Sequence, residues 1–96
     1  MHVKAVAGIF VPNAFTPNND GKNDVLLVYG YIIKQMHMTI FDQWGEKVFE
    51  SNNQTTGWDG QYKGKALPSG VYIYVCHLTL TDGSKTEKKG VINLIR

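Results

Sequence analysis

Along much of the chain, apolar and polar residues alternate one by one. Between Ile32 and Asp42, Met36, Met38 and Ile40 fall on one side, opposite Gln35, His37 and Thr39. That is the period of a half-buried strand. A second long strand is predicted from Val71 to about Thr81, with Tyr72, Tyr74, Cys76, Leu78 and Leu80 on one face. Its other face is wet at His77, Thr79 and Thr81 but apolar at Val71, Ile73 and Val75, which suits a central strand. Shorter strands are expected at Ile9–Val11, Val25–Tyr29, Lys47–Glu50 and Val91–Ile95. No segment carries a helical period.

Ten glycines and three prolines punctuate these runs. Thr81-Asp82-Gly83-Ser84 holds an Asp-Gly pair, a strong hairpin signal, and joins the Val71 strand to the Thr86–Ile95 region. Gln43-Trp44-Gly45-Glu46 reads as a second tight reversal. About seven short strands with turns every eight to twelve residues describe an all-β, Ig-like antiparallel β-sandwich. Met1 to Ala7 read as a linker stub or peripheral strand, so the chain divides into residues 1–8 and a domain over 9–96, expected to be part of a larger protein.

Composition narrows the functions open to such a domain. Its 96 residues are 43% hydrophobic and 19% charged, with a net charge of +2, which is globular rather than disordered. No basic run exceeds Lys88-Lys89, and this argues against a nucleic-acid or anionic-membrane surface. No apolar run approaches the roughly eighteen residues of a membrane span, and no sustained apolar stretch follows Met1-His2-Val3-Lys4 as in a signal peptide. Cys76 is the one cysteine, so there is neither an intrachain disulfide nor a multi-cysteine zinc site.

Reactive chemistry is sparse. His2, His37 and His77 form no closely spaced ligand pair, and His37 and His77 each read as half-exposed strand residues. Cys76 lies on an apolar face, where a thiol behaves as a small hydrophobe. No Gly-x-Ser-x-Gly elbow occurs. An enzyme is not expected. The run Thr16 to Asp24 partly overlays a calcium loop and offers Asn18, Asp20 and Asp24 as a weak site. It lacks the closing glutamate, because Leu27 stands at the twelfth position, and a compact turn held by Asn and Asp side chains is the plainer reading. No other cofactor is indicated. Thr56-Gly57-Trp58-Asp59-Gly60 suggests a tryptophan over the sandwich, with Asp59 taking backbone amides. A sugar platform would use Trp44, Trp58 and Tyr62, but a tryptophan beside a glycine turn more often plugs a core.

Taken in order, these blocks resemble a known family. Phe10-Val11-Pro12-Asn13-Ala14-Phe15-Thr16-Pro17-Asn18-Asn19-Asp20-Gly21, followed by Asn23-Asp24, is similar to the opening signature of the gliding-motility-associated C-terminal domain. That family is also called the type B sorting domain of the type IX secretion system of Bacteroidetes-type bacteria. Ile40 to Phe49, with Trp44-Gly45, resembles its middle block, and Gly57-Trp58-Asp59-Gly60 through Gly70-Val71-Tyr72 resembles its third. Lys89-Gly90-Val91-Ile92-Asn93-Leu94-Ile95-Arg96 resembles its terminal strand. The Trp-Asp-Gly to Gly-Val-Tyr segment is shared with the Ig-like domain of flagellar hook-capping proteins.

The resemblance implies a non-catalytic sorting domain that directs a larger surface or secreted protein through an outer-membrane translocon, with a dedicated outer-membrane partner and cargo domains upstream in the same chain. It implies export to the cell surface or the medium, without nucleic acid or membrane insertion, and a monomer is expected. Trp44, Gly45, Trp58, Asp59, Gly60 and Gly70 would serve the fold. Lys89, Gly90, Ile92, Leu94, Ile95 and Arg96 are the candidates for recognition, as an edge strand able to extend a partner's sheet. The competing expectation is an adhesin-type Ig-like module, open to stabilisation by calcium, that binds glycan or matrix through Trp44, Trp58 and Tyr62.

Overall fold

The computed structural model describes residues 9–17 and 24–96. The expected stub at residues 1–8 and the Asn18–Asn23 part of the calcium-like loop lie outside the described residues. Strand β1 is Ala14–Phe15, β2 Ile33–Phe41, β3 Lys47–Ser51, β4 Gln61–Tyr62, β5 Lys65–Ala66, β6 Gly70–Leu80 and β7 Lys85–Leu94. No helix occurs among the described residues. A five-stranded sheet has the order β1-β7-β6-β2-β3, and β4-β5 forms a small second sheet. The all-β sandwich expected from the sequence is the fold observed.

The two long alternating runs become neighbours. β2 and β6 pair antiparallel with Met38 opposite Cys76 and Ile40 opposite Tyr74, while β6 pairs β7 with Tyr72 opposite Ile92. Period-two alternation then sends one complete set of side chains inward. Met36, Met38, Ile40, Tyr72, Tyr74, Cys76, Leu78, Leu80, Ile92 and Leu94 are all buried. The second layer that covers them is mostly irregular and contributes Ile9, Leu26, Val28 and Trp58. At about 25 cal/mol per Å² of apolar surface, this shared core is the main source of stability.

Both predicted turns form. Asp82 Oδ1 accepts from the N–H of Ser84 at 2.9 Å and from Ser84 Oγ at 2.6 Å, which draws its carboxyl below the ordinary value. Asp42 Oδ1 likewise accepts from the Trp44 and Glu46 amides at 2.9 and 2.8 Å.

Three details depart from expectation. Ile9–Val11 and Val25–Tyr29 are not strands but isolated bridges, Phe10 with Tyr29 and Leu26 with Trp58. Pro12 and Gly30 stand beside one bridge, and the Asp59-Gly60 turn follows the other, so neither ladder can lengthen. The β4–β5 hairpin was not legible, because its turn is Lys63-Gly64, with φ of 54° and 81°, rather than the usual Asn-Gly. Finally, β1 pairs β7 in parallel, Ala14 with Asn93 and Phe15 with Leu94. The end of β7 is therefore covered rather than an edge.

Candidate functional site

The Trp-Asp-Gly block forms the hub beneath the sheet. Trp58 is 1% exposed. Its ring stands 5.2 Å from that of Tyr72 in an edge-on arrangement and 5.4 Å from that of Phe15, favourable aromatic geometry. Its Nε1 donates to the Gln61 carbonyl at 3.0 Å, so the buried indole is satisfied. Asp59 Oδ1 accepts from the Gln61 amide at 3.1 Å, as the Asp-turn reading requires. Gly60 has φ +82°, and a Cβ there would meet Arg96 Nη2, Pro17 Cγ and Leu94 Cδ1 at 3.0–3.2 Å. Glycine is needed here for both conformation and space. Gly45 also has positive φ, at +87°, in the β2–β3 turn. Gly70 opens β6, where a methyl group would meet open space among the described residues.

Tyr72 carries this hub into the next loop by donating from its hydroxyl to the Pro68 carbonyl at 2.9 Å, much as the tyrosine corner of Ig-type sandwiches does. Burial pushes the Tyr72 hydroxyl above its ordinary pKa, and the nearby Arg96 cation opposes that shift.

The terminal segment splits by alternation into inward and outward residues. Ile92 and Leu94 are core side chains, at most 1% exposed. Gly90 lies under Tyr74, where a Cβ would come 2.8 Å from Cε2 and 3.1 Å from the hydroxyl. Lys89 and Ile95 are exposed. Arg96 is engaged rather than free. Its guanidinium donates from Nη2 to the Gly60 carbonyl at 2.8 Å and from Nε to the Leu67 carbonyl, while its backbone N–H donates to Ser69 Oγ at 2.9 Å. The sequence did not foretell this clamp, because Gly60 and Leu67 are brought to Arg96 only by the folded second layer.

The outward residues make a surface with two halves. Val71, Ile73, Val91 and Ile95 are about half exposed. Ile73 is opposite Phe41 on β2 and Val91 on β7, so an apolar row crosses three strands. At the same end Trp44 is 83% exposed and shares a groove of about 230 Å³ with Leu67, Pro68 and Val71. The other half is polar and holds His37, His77, Glu50, Glu87 and Lys89. Sequence pattern does not reveal the apolar row, because the same residues signal a strand buried on both faces.

The remaining candidates are not assembled into a site. Trp58 is in the core, so Trp44, Trp58 and Tyr62 do not form a sugar platform. Tyr62 instead donates weakly to Glu46 Oε2 at 3.4 Å and lies beneath Lys63 Nζ. Of the calcium candidates, Asn18 and Asp20 lie outside the described residues and Asp24 is half-buried. No group of three His, Cys, Asp or Glu converges among the described residues. Burial pushes the Cys76 thiol up to about 11, against a lowering influence from Lys88, and such a thiol is a poor nucleophile.

Among curated proteins none matches this chain. The family model of the CHU_C type IX secretion signal domain does match, over residues 9–94. Those residues span the sandwich from Ile9 in the second layer to Leu94 at the end of β7, so the chain belongs to the CHU_C type IX secretion signal domain family.

Proposed function

We propose that this domain is a non-catalytic address, read in its folded form by the type IX translocon and a dedicated outer-membrane partner. It carries the domains that precede it in the same chain across the outer membrane, to the cell surface or the medium, and works as a single copy. Family membership supports the secretion role. The observation that carries the finer reading is the apolar row on the outer face. Scattered exposed aliphatics are ordinary, but a contiguous group of them beside an exposed tryptophan is the usual mark of a contact surface.

On this reading the terminal residues divide their work. Lys89 and Ile95, with Val91, Ile73, Val71 and Trp44, are what a receptor meets. Gly90, Ile92, Leu94 and Arg96 hold the strand that presents them. Among the described residues no strand pairs the outer edge of β7 ahead of Asn93. That edge offers a partner strand backbone hydrogen bonds next to the apolar row.

The test is a neutral reporter fused to the domain in a type IX-competent host. Ile73→Lys and Val91→Lys replace solvent-facing side chains, so the fold should keep its Tm while export falls. Normal export of both variants would remove the outer face as the recognition surface. Normal export of a reporter without the domain would remove the address itself.

A further inference from the structure

In the polar half of the outer face, β2 and β6 set two histidines directly opposite each other, His37 with His77. Opposed residues on an antiparallel ladder keep their Cβ atoms about 4.5–5.5 Å apart, so two imidazoles can converge on one point. Each ring is tethered on its far side. His37 Nε2 lies 2.6 Å from Glu50 Oε2 on β3, and His77 Nδ1 lies 3.4 Å from Glu87 Oε2 on β7. Across four strands the order is carboxylate, imidazole, imidazole, carboxylate, with Glu50 diagonal to His37 because its direct partner on β2 is Thr39. The nitrogens not used in those contacts are Nδ1 of His37 and Nε2 of His77. Both rings line a groove of about 520 Å³ together with Gln35, Thr79 and Lys85, which gives an ion and its waters access.

We propose that His37 and His77 form a two-donor clip for one divalent first-row transition-metal ion of the zinc or copper kind. Imidazole nitrogen is a donor these ions select, at about 2.0–2.1 Å for zinc, whereas calcium and magnesium take oxygen. Glu50 and Glu87 lie against the far ring nitrogens, where a carboxylate orients a ligating imidazole and strengthens it as a donor. Because both carboxylates point at the outer nitrogens, the chain supplies two donors, in keeping with the lack of a convergent group of three among the described residues. Water or an external donor completes the coordination.

The surrounding charges fit a tethering role for the two carboxylates. Lys47 Nζ lies 2.8 Å from Glu50 Oε1 and Lys89 Nζ 3.4 Å from Glu87 Oε1. An ion held between β2 and β6 would cross-link the centre of the five-stranded sheet. This site is independent of the sorting reading.

Titration of the 96-residue chain with Zn²⁺ alone, followed by calorimetry near neutral pH, tests the clip. One ion per chain is expected, with binding lost in His37→Gln and in His77→Gln. Glu50→Gln and Glu87→Gln should each weaken it about tenfold or more. Acidification should release the ion, since the donors must be neutral. All four side chains are at the surface, and an unchanged metal-free Tm verifies that the variants fold. Absence of binding to the wild-type chain, unaltered binding in the double histidine variant, or half an ion per chain would each overturn the proposal.

Discussion

Arg96→Ala separates holding the fold from meeting a receptor. The substitution removes two guanidinium hydrogen bonds, to the carbonyls of Gly60 and Leu67, and spares the backbone bond to Ser69. A hydrogen bond to a charged group is worth about 1.5–3 kcal/mol, and an ordinary one about 0.5–1.5. Arg96 lies at the surface and only its Gly60 contact is half-buried, so about 1 kcal/mol each, or about 2 in all, is appropriate. In a domain of this size 1 kcal/mol moves Tm by about 4–8 °C, so Arg96→Ala should lower it by about 8–16 °C. Arg96→Lys should recover no more than half, because a single ammonium lacks the planar fork that reaches both carbonyls. Thermal unfolding followed by circular dichroism measures both variants. An unchanged Tm in Arg96→Ala would refute the clamp, and any export defect would then belong to a receptor contact.

Gly90→Ala drives a methyl into the Tyr74 ring, from 2.8 Å, and should cost about 1–3 kcal/mol in urea unfolding; no loss would mean that the ring swings away freely. Trp58→Ala empties the hub and should cost about 3–5 kcal/mol, a large part of a small domain's stability, read as a collapsed Tm. Cys76 titrates at about 11 in the fold against 9.0 for the free thiol. The folded state therefore keeps its proton longer, so stability is full below pH 9 and falls as pH rises towards 11. Cys76→Ala should flatten that part of the pH–stability curve, and an unaltered slope would assign it to the raised hydroxyls of Tyr72 and Tyr74 instead.

Legibility followed the physics of each element. β2, β6 and the β2–β3 and β6–β7 turns were readable because alternation, the Asp82-Gly83 pair and the glycine at position 45 are local signals. The second layer was less so: Leu26 and Trp58 exchange backbone hydrogen bonds at 2.7 and 3.0 Å across thirty-two positions of sequence, and neither flank looks like a strand. β1 owes its existence to the parallel contact with Asn93 and Leu94, which no local pattern encodes. The family blocks singled out the terminal segment, yet could not say which of its residues faced the core. Arg96 shows the limit well, since a recognition candidate in the sequence became a bridge to two distant carbonyls.

The same alternation that builds β7 explains why a motif alone could not assign roles within it. Even positions Ile92 and Leu94 are core, and odd positions Lys89, Val91 and Ile95 face solvent, so any sorting address on this strand would be interleaved with the residues that fold it. Deleting Lys89–Arg96 removes both sets together, and lost export would then say only that the tag is broken. A single-residue scan resolves them because the two sets differ in kind of effect. Alanine at Ile92 or Leu94 should cost about 2–5 kcal/mol and reduce export in step with Tm. Charge at Val91 or Ile95 should leave Tm near wild type and still reduce export. If export followed Tm at every position, odd and even alike, the strand would contribute stability alone and the address would lie elsewhere on the sandwich.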